Sequence, residues 1–157
     1  IERNDGPSAL VFSRQGLAPM ERSDEQLSNV GRGGYVLRKA NDAQAILIAT
    51  GSEVELAINA ADQLVEKGIA VSVVSMPCAE IFCEQDKAYQ DSVLPPAIRA
   101  RVAVEALHAD YWHKFVGLDG RVVGMTSFGE SAPGNLLMKE FGFTVENVVS
   151  KVMESLG

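Results

Sequence analysis

From Tyr35 onward the apolar residues come in two textures, short continuous runs and longer stripes with helical spacing. Ala45-Ile46-Leu47-Ile48-Ala49-Thr50 is a run of the kind found in strands covered on both faces. Gly51-Ser52 then turns the chain, and Ser52 with Glu55 has the spacing of a capping box that opens a helix. That helix would place Val54, Ala57, Ile58, Ala61, Leu64 and Val65 on one face and stop at Lys67-Gly68. Ala70-Val71-Ser72-Val73-Val74-Ser75, rich in β-branched side chains, reads as the next strand. Strand, helix and strand in this order predict a βαβ unit with parallel strands.

The second half repeats the grammar less regularly. Met76-Pro77-Cys78 leads into short helical pieces over residues 79–91, which end before Pro95-Pro96. Arg101-Val102-Ala103-Val104-Glu105 is a further buried strand, followed by the aromatic segment Ala109-Asp110-Tyr111-Trp112-His113-Lys114-Phe115. Asp119-Gly120 turns into Arg121-Val122-Val123-Gly124-Met125-Thr126, another parallel candidate. Pro133 suits the first turn of a helix running through Leu136, Leu137 and Phe141 to Gly142. A last helix, capped by Thr144, carries Val145, Val148, Val149, Val152, Met153 and Leu156 on one face. With Tyr35–Arg38 as one more short strand, the pattern predicts a three-layer α/β/α domain over about residues 35–157, built on a mostly parallel five-stranded sheet.

Residues 1–34 differ. Asp5-Gly6-Pro7 signals a turn, and Ala9-Leu10-Val11-Phe12 is a strand-like run with no helix beside it. Ser23 and Gln26 form a possible capping box, and Gly31-Arg32-Gly33-Gly34 closes the stretch. A lone strand followed by about twenty irregular residues is uncommon inside a compact domain, so the stretch reads as a linker. The chain opens on Ile1-Glu2-Arg3-Asn4, with neither Met nor a signal peptide, and reads as the interior of a longer polypeptide.

Composition narrows the classes. A chain of 157 residues with 46% hydrophobic and 22% charged residues is not disordered. No apolar run approaches the ~18 residues of a membrane span. Fourteen Lys and Arg against twenty-one Asp and Glu leave a net charge of −7, which argues against a nucleic-acid partner. The two cysteines, Cys78 and Cys83, are too few for a disulfide scaffold and suit a reducing, cytoplasmic setting.

In open parallel sheets, ligands bind beyond the carboxyl ends of the strands. That edge would gather Thr50, Gly51, Ser52, Ser75, Cys78, Glu105, His108, Thr126, Ser127 and Glu130. Thr50, Gly51 and Ser52 could hold an anion on free backbone N–H groups, though the same residues are needed simply to turn and cap. No lysine-bearing phosphate loop is present, and Gly31-Arg32-Gly33-Gly34 lacks the spacing of a dinucleotide fingerprint. Ser75 or Ser127 with His108 and Glu105 makes a nucleophilic set only on paper, since no G-x-S-x-G elbow supports it. His108 and His113 have no third partner at metal-ligand spacing. Tyr111, Trp112 and Phe115 suit core or interface packing. No catalytic, cofactor-binding or metal-binding residue is assigned.

Several runs nevertheless carry a resemblance, in order along nearly the whole chain. They are Gly6-Pro7-Ser8-Ala9-Leu10 with Ser13-Arg14-Gln15, then Gly33-Gly34-Tyr35-Val36-Leu37. Next come Ile48-Ala49-Thr50-Gly51-Ser52-Glu53-Val54 and Val73-Val74-Ser75-Met76-Pro77. Arg101-Val102-Ala103-Val104-Glu105-Ala106, Met125-Thr126-Ser127-Phe128-Gly129-Glu130-Ser131-Ala132-Pro133 and Glu140-Phe141-Gly142-Phe143-Thr144 complete the set. Together they resemble the end of a bacterial-type transketolase. The chain departs from that pattern at Leu107-His108, where a glycine is expected, and over Cys78 to Cys83.

The resemblance implies that residues 1–14 are the last strand of a pyrimidine-binding domain, 15–33 the linker and 34–157 the C-terminal domain. The intact enzyme would move a two-carbon ketol unit between sugar phosphates in the pentose phosphate pathway. It would use thiamine diphosphate and Mg2+ or Ca2+, and work as a cytoplasmic homodimer. Its metal motif, its cofactor-activating glutamate and the residues gripping the sugar phosphate would all lie upstream. The chain alone is expected to be inert and to form interfaces with the remaining domains and the second subunit, exposing an apolar patch where they belong. The alternative is a small-anion or regulatory module using Thr50, Gly51 and Ser52.

Overall fold

The computed structural model describes residues 4–13 and 15–157. Ile1–Arg3, at the start of the expected remnant strand, and Arg14 of the Ser13-Arg14-Gln15 run lie outside the described residues. The elements follow in the order α1 (Asp24–Val30), β1 (Tyr35–Arg38), β2 (Ala45–Ala49), α2 (Glu53–Glu66), β3 (Val71–Ser75), α3 (Ala79–Glu84) and α4 (Lys87–Val93). Then come β4 (Arg101–His108), a 3-10 turn (Ala109–Trp112), α5 (His113–Val116), β5 (Arg121–Met125), α6 (Gly134–Glu140) and α7 (Val145–Leu156).

The five strands form one sheet in the order β1-β3-β2-β4-β5. β1 runs antiparallel to β3 and every other pairing is parallel, so the mostly parallel sheet expected from the sequence is present. Alternation explains the continuous apolar runs. Ala45, Leu47 and Ala49 face the layer of α2 and α7, whereas Ile46 and Ile48 face the layer of α3, α4 and the aromatic turn. Both faces of β2 are fully buried.

Helix α2 ends in a Schellman motif: Gly68 N–H donates to Val65 and Ile69 N–H to Leu64, with Gly68 at φ 79°. Its buried stripe is Glu53, Val54, Ala57, Ala60, Ala61 and Leu64. The stripe lies slightly round the helix from the expected one, leaving Val65 exposed. On α7 the expected Thr144 cap is formed and Val148, Val149 and Val152 are buried, but Met153 and Leu156 remain in solvent. Pro133 takes the N-cap position, and α6 begins at Gly134.

Ala9-Leu10-Val11-Phe12 forms no strand here, since among the described residues the segment pairs with no sheet, and Leu10, Val11 and Phe12 are 71%, 94% and 80% exposed. A strand requires a neighbour for its backbone groups, and the sheet offers this segment none. The Ser52–Glu55 capping box also fails to form. Ser52 has helical backbone angles (φ −66°, ψ −28°), and its hydroxyl donates to Glu53 instead. The Ser23–Gln26 box does form at α1. The Gln26 amide also donates to the Val36 and Leu37 carbonyls, at the bulge where edge strand β1 shifts register against β3. Among the described residues no helix is long and apolar enough to cross a membrane.

Candidate functional site

The carboxyl edge of the parallel strands holds two distinct features, a carboxylate network over β2 and β4 and an apolar groove beside β4 and β5. The network follows from strand ends lying side by side. Ala49 pairs with Val104, so the chain leaving β2 brings Glu53 close to Glu105. Glu53 is only 6% exposed, in the first turn of α2, and its side-chain partner is the Ser52 hydroxyl at 2.9 Å. Burial raises its pKa, outweighing that hydrogen bond.

Glu105 is half-buried and accepts the Trp112 indole N–H at 2.7 Å. Burial also lifts its pKa, the indole opposes the rise, and the charges of Glu53 and Glu80 add to it. Glu80 is the opposite case. The Tyr111 hydroxyl donates to it at 2.5 Å and holds its carboxyl below the ordinary range. Tyr111 is itself pushed well above the usual phenol range, by burial first and then by that bond.

The sign of the resulting pH dependence is fixed by the burial of Glu53. Its folded pKa exceeds its unfolded one, so the folded state holds the extra proton in the interval between them. Stability is then lost as pH rises from the ordinary carboxylate range through the folded pKa. Glu53→Gln is expected to raise the melting temperature relative to the parent, with a gap that widens between about pH 4 and about pH 7. Thermal unfolding followed by circular dichroism across that range checks it, and a gap independent of pH would refute the assignment.

The remaining predicted site residues are scattered. Gly51 sits at φ 55° and turns the chain from β2 into α2. Any anion bound to Thr50, Gly51 or Ser52 would lie beside the Glu53 carboxyl. His108 and His113 are exposed and both flank Asp110, at 3.7 and 3.8 Å. The imidazole of His108 therefore faces Asp110, while Glu105 is engaged by Trp112. Ser75 is buried within β3, and the Ser127 hydroxyl donates weakly to the Phe128 carbonyl at 3.3 Å. Ser, His and Glu are thus not assembled as a relay. Cys78 and Cys83 are free thiols, half-buried and exposed.

Sequence reasoning missed Glu53. The available signal was its spacing, since Glu53, Ala57, Ala60 and Leu64 share one face of α2. It also missed the groove, whose volume is about 750 Å3. Leu107, Met125, Leu137, Met138, Phe141 and Phe143 line it, and His108 and Glu130 stand among its few polar neighbours. Gln15 reaches the same groove, so the chain entering the domain passes over this edge. Phe128 also borders it and is 96% exposed.

The family description "Transketolase-like TK C-terminal domain" matches residues 33–144. Transketolase 1 of Escherichia coli (strain K12) is 60% identical over 157 residues, covering 99% of this chain and 24% of the relative. Among solved structures, a transketolase from Leishmania mexicana superposes with a TM-score of 0.77 at 41% identity, over 83% of this chain and 19% of its own. A split-gene transketolase, described as an inactive β4 tetramer, superposes with a TM-score of 0.59 at 26% identity, over 80% of this chain and 43% of its own. The chain therefore spans about a quarter of the length of the curated relatives it matches.

Proposed function

Because the chain belongs to the transketolase family and matches its C-terminal domain, we propose that it serves as the interface-forming C-terminal domain of a larger bacterial-type transketolase. The parent would transfer a two-carbon ketol unit from a ketose phosphate to an aldose phosphate, in the cytoplasm, with thiamine diphosphate supplying the carbanion chemistry. Residues 1–14 would belong to the preceding pyrimidine-binding domain, 15–33 to the linker and 34–157 to the C-terminal domain. Its partners would be the other domains and a second subunit.

One observation carries the interfacial reading. At the edge where α/β domains place ligands lies an apolar groove bordered by a solvent-exposed Phe128. The exposed Leu10-Val11-Phe12 run adds to it, as expected of a strand whose sheet lies in another domain. The split-gene relative supports the same reading, being described as an inactive tetramer.

The described residues do not fit the cofactor. No group of three His, Cys, Asp or Glu among them could hold a divalent metal. The Thr50-Gly51-Ser52 turn, the candidate cradle for a pyrophosphate, carries the Glu53 carboxyl beside it. No step through thiamine diphosphate is assigned to this chain, and the anion alternative at Thr50, Gly51 and Ser52 suffers from the same neighbour. The purified chain, given thiamine diphosphate, Mg2+, a ketose phosphate and an aldose phosphate, is expected to give no ketol transfer above background. Turnover in a coupled assay would overturn its inertness.

A further inference from the structure

We propose that the hollow between α3, α4, α5 and the start of β4 binds a phosphate monoester carrying a small apolar body. The hollow lies away from the apolar groove, since Arg101 opens β4 and His108, which lines the groove, closes it. Its volume is about 370 Å3, within the range of small-molecule sites.

Charge selects the class of ligand. In a chain of net charge −7, the hollow is lined by Lys87, Arg101 and Lys114 against a single carboxylate, Asp91. Lys87 pairs with Asp91. Among the described residues neither Arg101 nor Lys114 makes an ion pair. The Lys114 ammonium stands over the Tyr111 and Phe115 rings, at 4.6 and 4.9 Å, which keeps it at the hollow. Two positive charges are thus left without a carboxylate, and a dianion matches them.

The donors distinguish phosphate from carboxylate. Arg101 Nε donates to the Ile98 carbonyl, Nη1 to Phe115, and Nη2 to Leu94 and Pro95, all at 2.9–3.1 Å. These bonds use all but one of the guanidinium N–H groups, so no fork remains to grip a carboxylate. Arg101 is therefore a fixed positive charge at the hollow. The free donors are the lysine ammoniums, which hold phosphate as point charges. Leu94, Pro96 and Phe115 give the organic body an apolar wall. Cys83, an exposed free thiol, lines the same hollow and serves as a reporter.

Calorimetric titration of the chain with phenyl phosphate tests the proposal, with inorganic phosphate and benzoate for comparison. The expected result is saturable binding of phenyl phosphate at millimolar concentration or below, at least fivefold tighter than either comparison ligand. Lys114→Gln should weaken it at least fivefold. Lys67→Gln, at the end of α2 on the opposite layer, should leave it unchanged. Both lysines are exposed, so the fold should be retained, as circular dichroism would verify. Alkylation of Cys83 by iodoacetamide, located by mass spectrometry, should slow as phenyl phosphate is added. Anionic iodoacetate should lose ground to neutral iodoacetamide at Cys83 in Lys114→Gln. No binding at millimolar phenyl phosphate, equal binding of benzoate, or indifference to Lys114→Gln overturns the proposal. Heat without protection of Cys83 places the ligand elsewhere and overturns it too. Inorganic phosphate binding as tightly as phenyl phosphate overturns the apolar body.

Discussion

Trp112→Ala is expected to destabilise the chain by about 3–5 kcal/mol, the range for truncating a large buried aromatic side chain. Trp112 is 1% exposed and packs edge-on against Tyr111 at 5.6 Å and tilted against Phe115 at 5.5 Å. Truncation would open a cavity under the α5 layer and strip Glu105 of its indole donor. Glu105 is already raised in pKa by burial, so losing the one bond that favours its charged form should raise it further. Trp112→Phe keeps most of the packing and removes only the donor, and should cost markedly less. Urea denaturation followed by far-ultraviolet circular dichroism measures both, because the chain's single tryptophan is the residue replaced. Equal losses for the two variants would mean that the hydrogen bond, not the volume, dominates.

Gly33→Ala is the second large effect. Gly33 sits at φ 84°, and an added Cβ would lie 2.3 Å from the Cys78 carbonyl oxygen and 2.5 Å from the Phe82 nitrogen. Both are backbone atoms, so no side chain can swing aside. The Gly33 carbonyl also accepts the Cys78 N–H at 2.9 Å, tying the start of β1 to the start of α3. A loss of about 3 kcal/mol or more is expected from strain and clash together. Gly68→Ala provides the control. Gly68 has nearly the same φ, 79°, but nothing within 4 Å of its added Cβ. It should lose only the left-handed penalty of about 1–2 kcal/mol. Chemical denaturation of the two variants side by side reads steric contact apart from dihedral strain.

The architecture was legible wherever a signal was both local and repeated. Unbroken apolar runs marked β2 and β3, because residues at both parities face a helical layer. Capping was legible only in part. Ser23-x-x-Gln26 and Ser52-x-x-Glu55 look alike, yet only the first forms a box. The second follows Gly51 at positive φ, and the backbone N–H groups of Glu53 and Val54 already bond to Thr50 and Gly51 carbonyls. Site chemistry was the least legible. Trp112 meets Glu105 only because β4 ends in a 3-10 turn that folds the indole back, and spacing along the chain does not encode that reversal. The groove exists only once β4, β5 and α6 are assembled, so no single segment announces it.

The Gln26 amide, bonded to two carbonyls of β1, makes the growth of this sheet directional. An open edge strand is a template for adding strands from other chains, and proteins that leave one uncovered risk fibrous assembly. Here the stopper comes from residues 24–30, immediately before the strand it blocks, so closing it requires only a short loop. A ribosome delivers the stopper before the strand, and that side of the sheet is shielded before β2, β3 and β4 have emerged. Strand addition is thereby left to the β5 side, next to the groove.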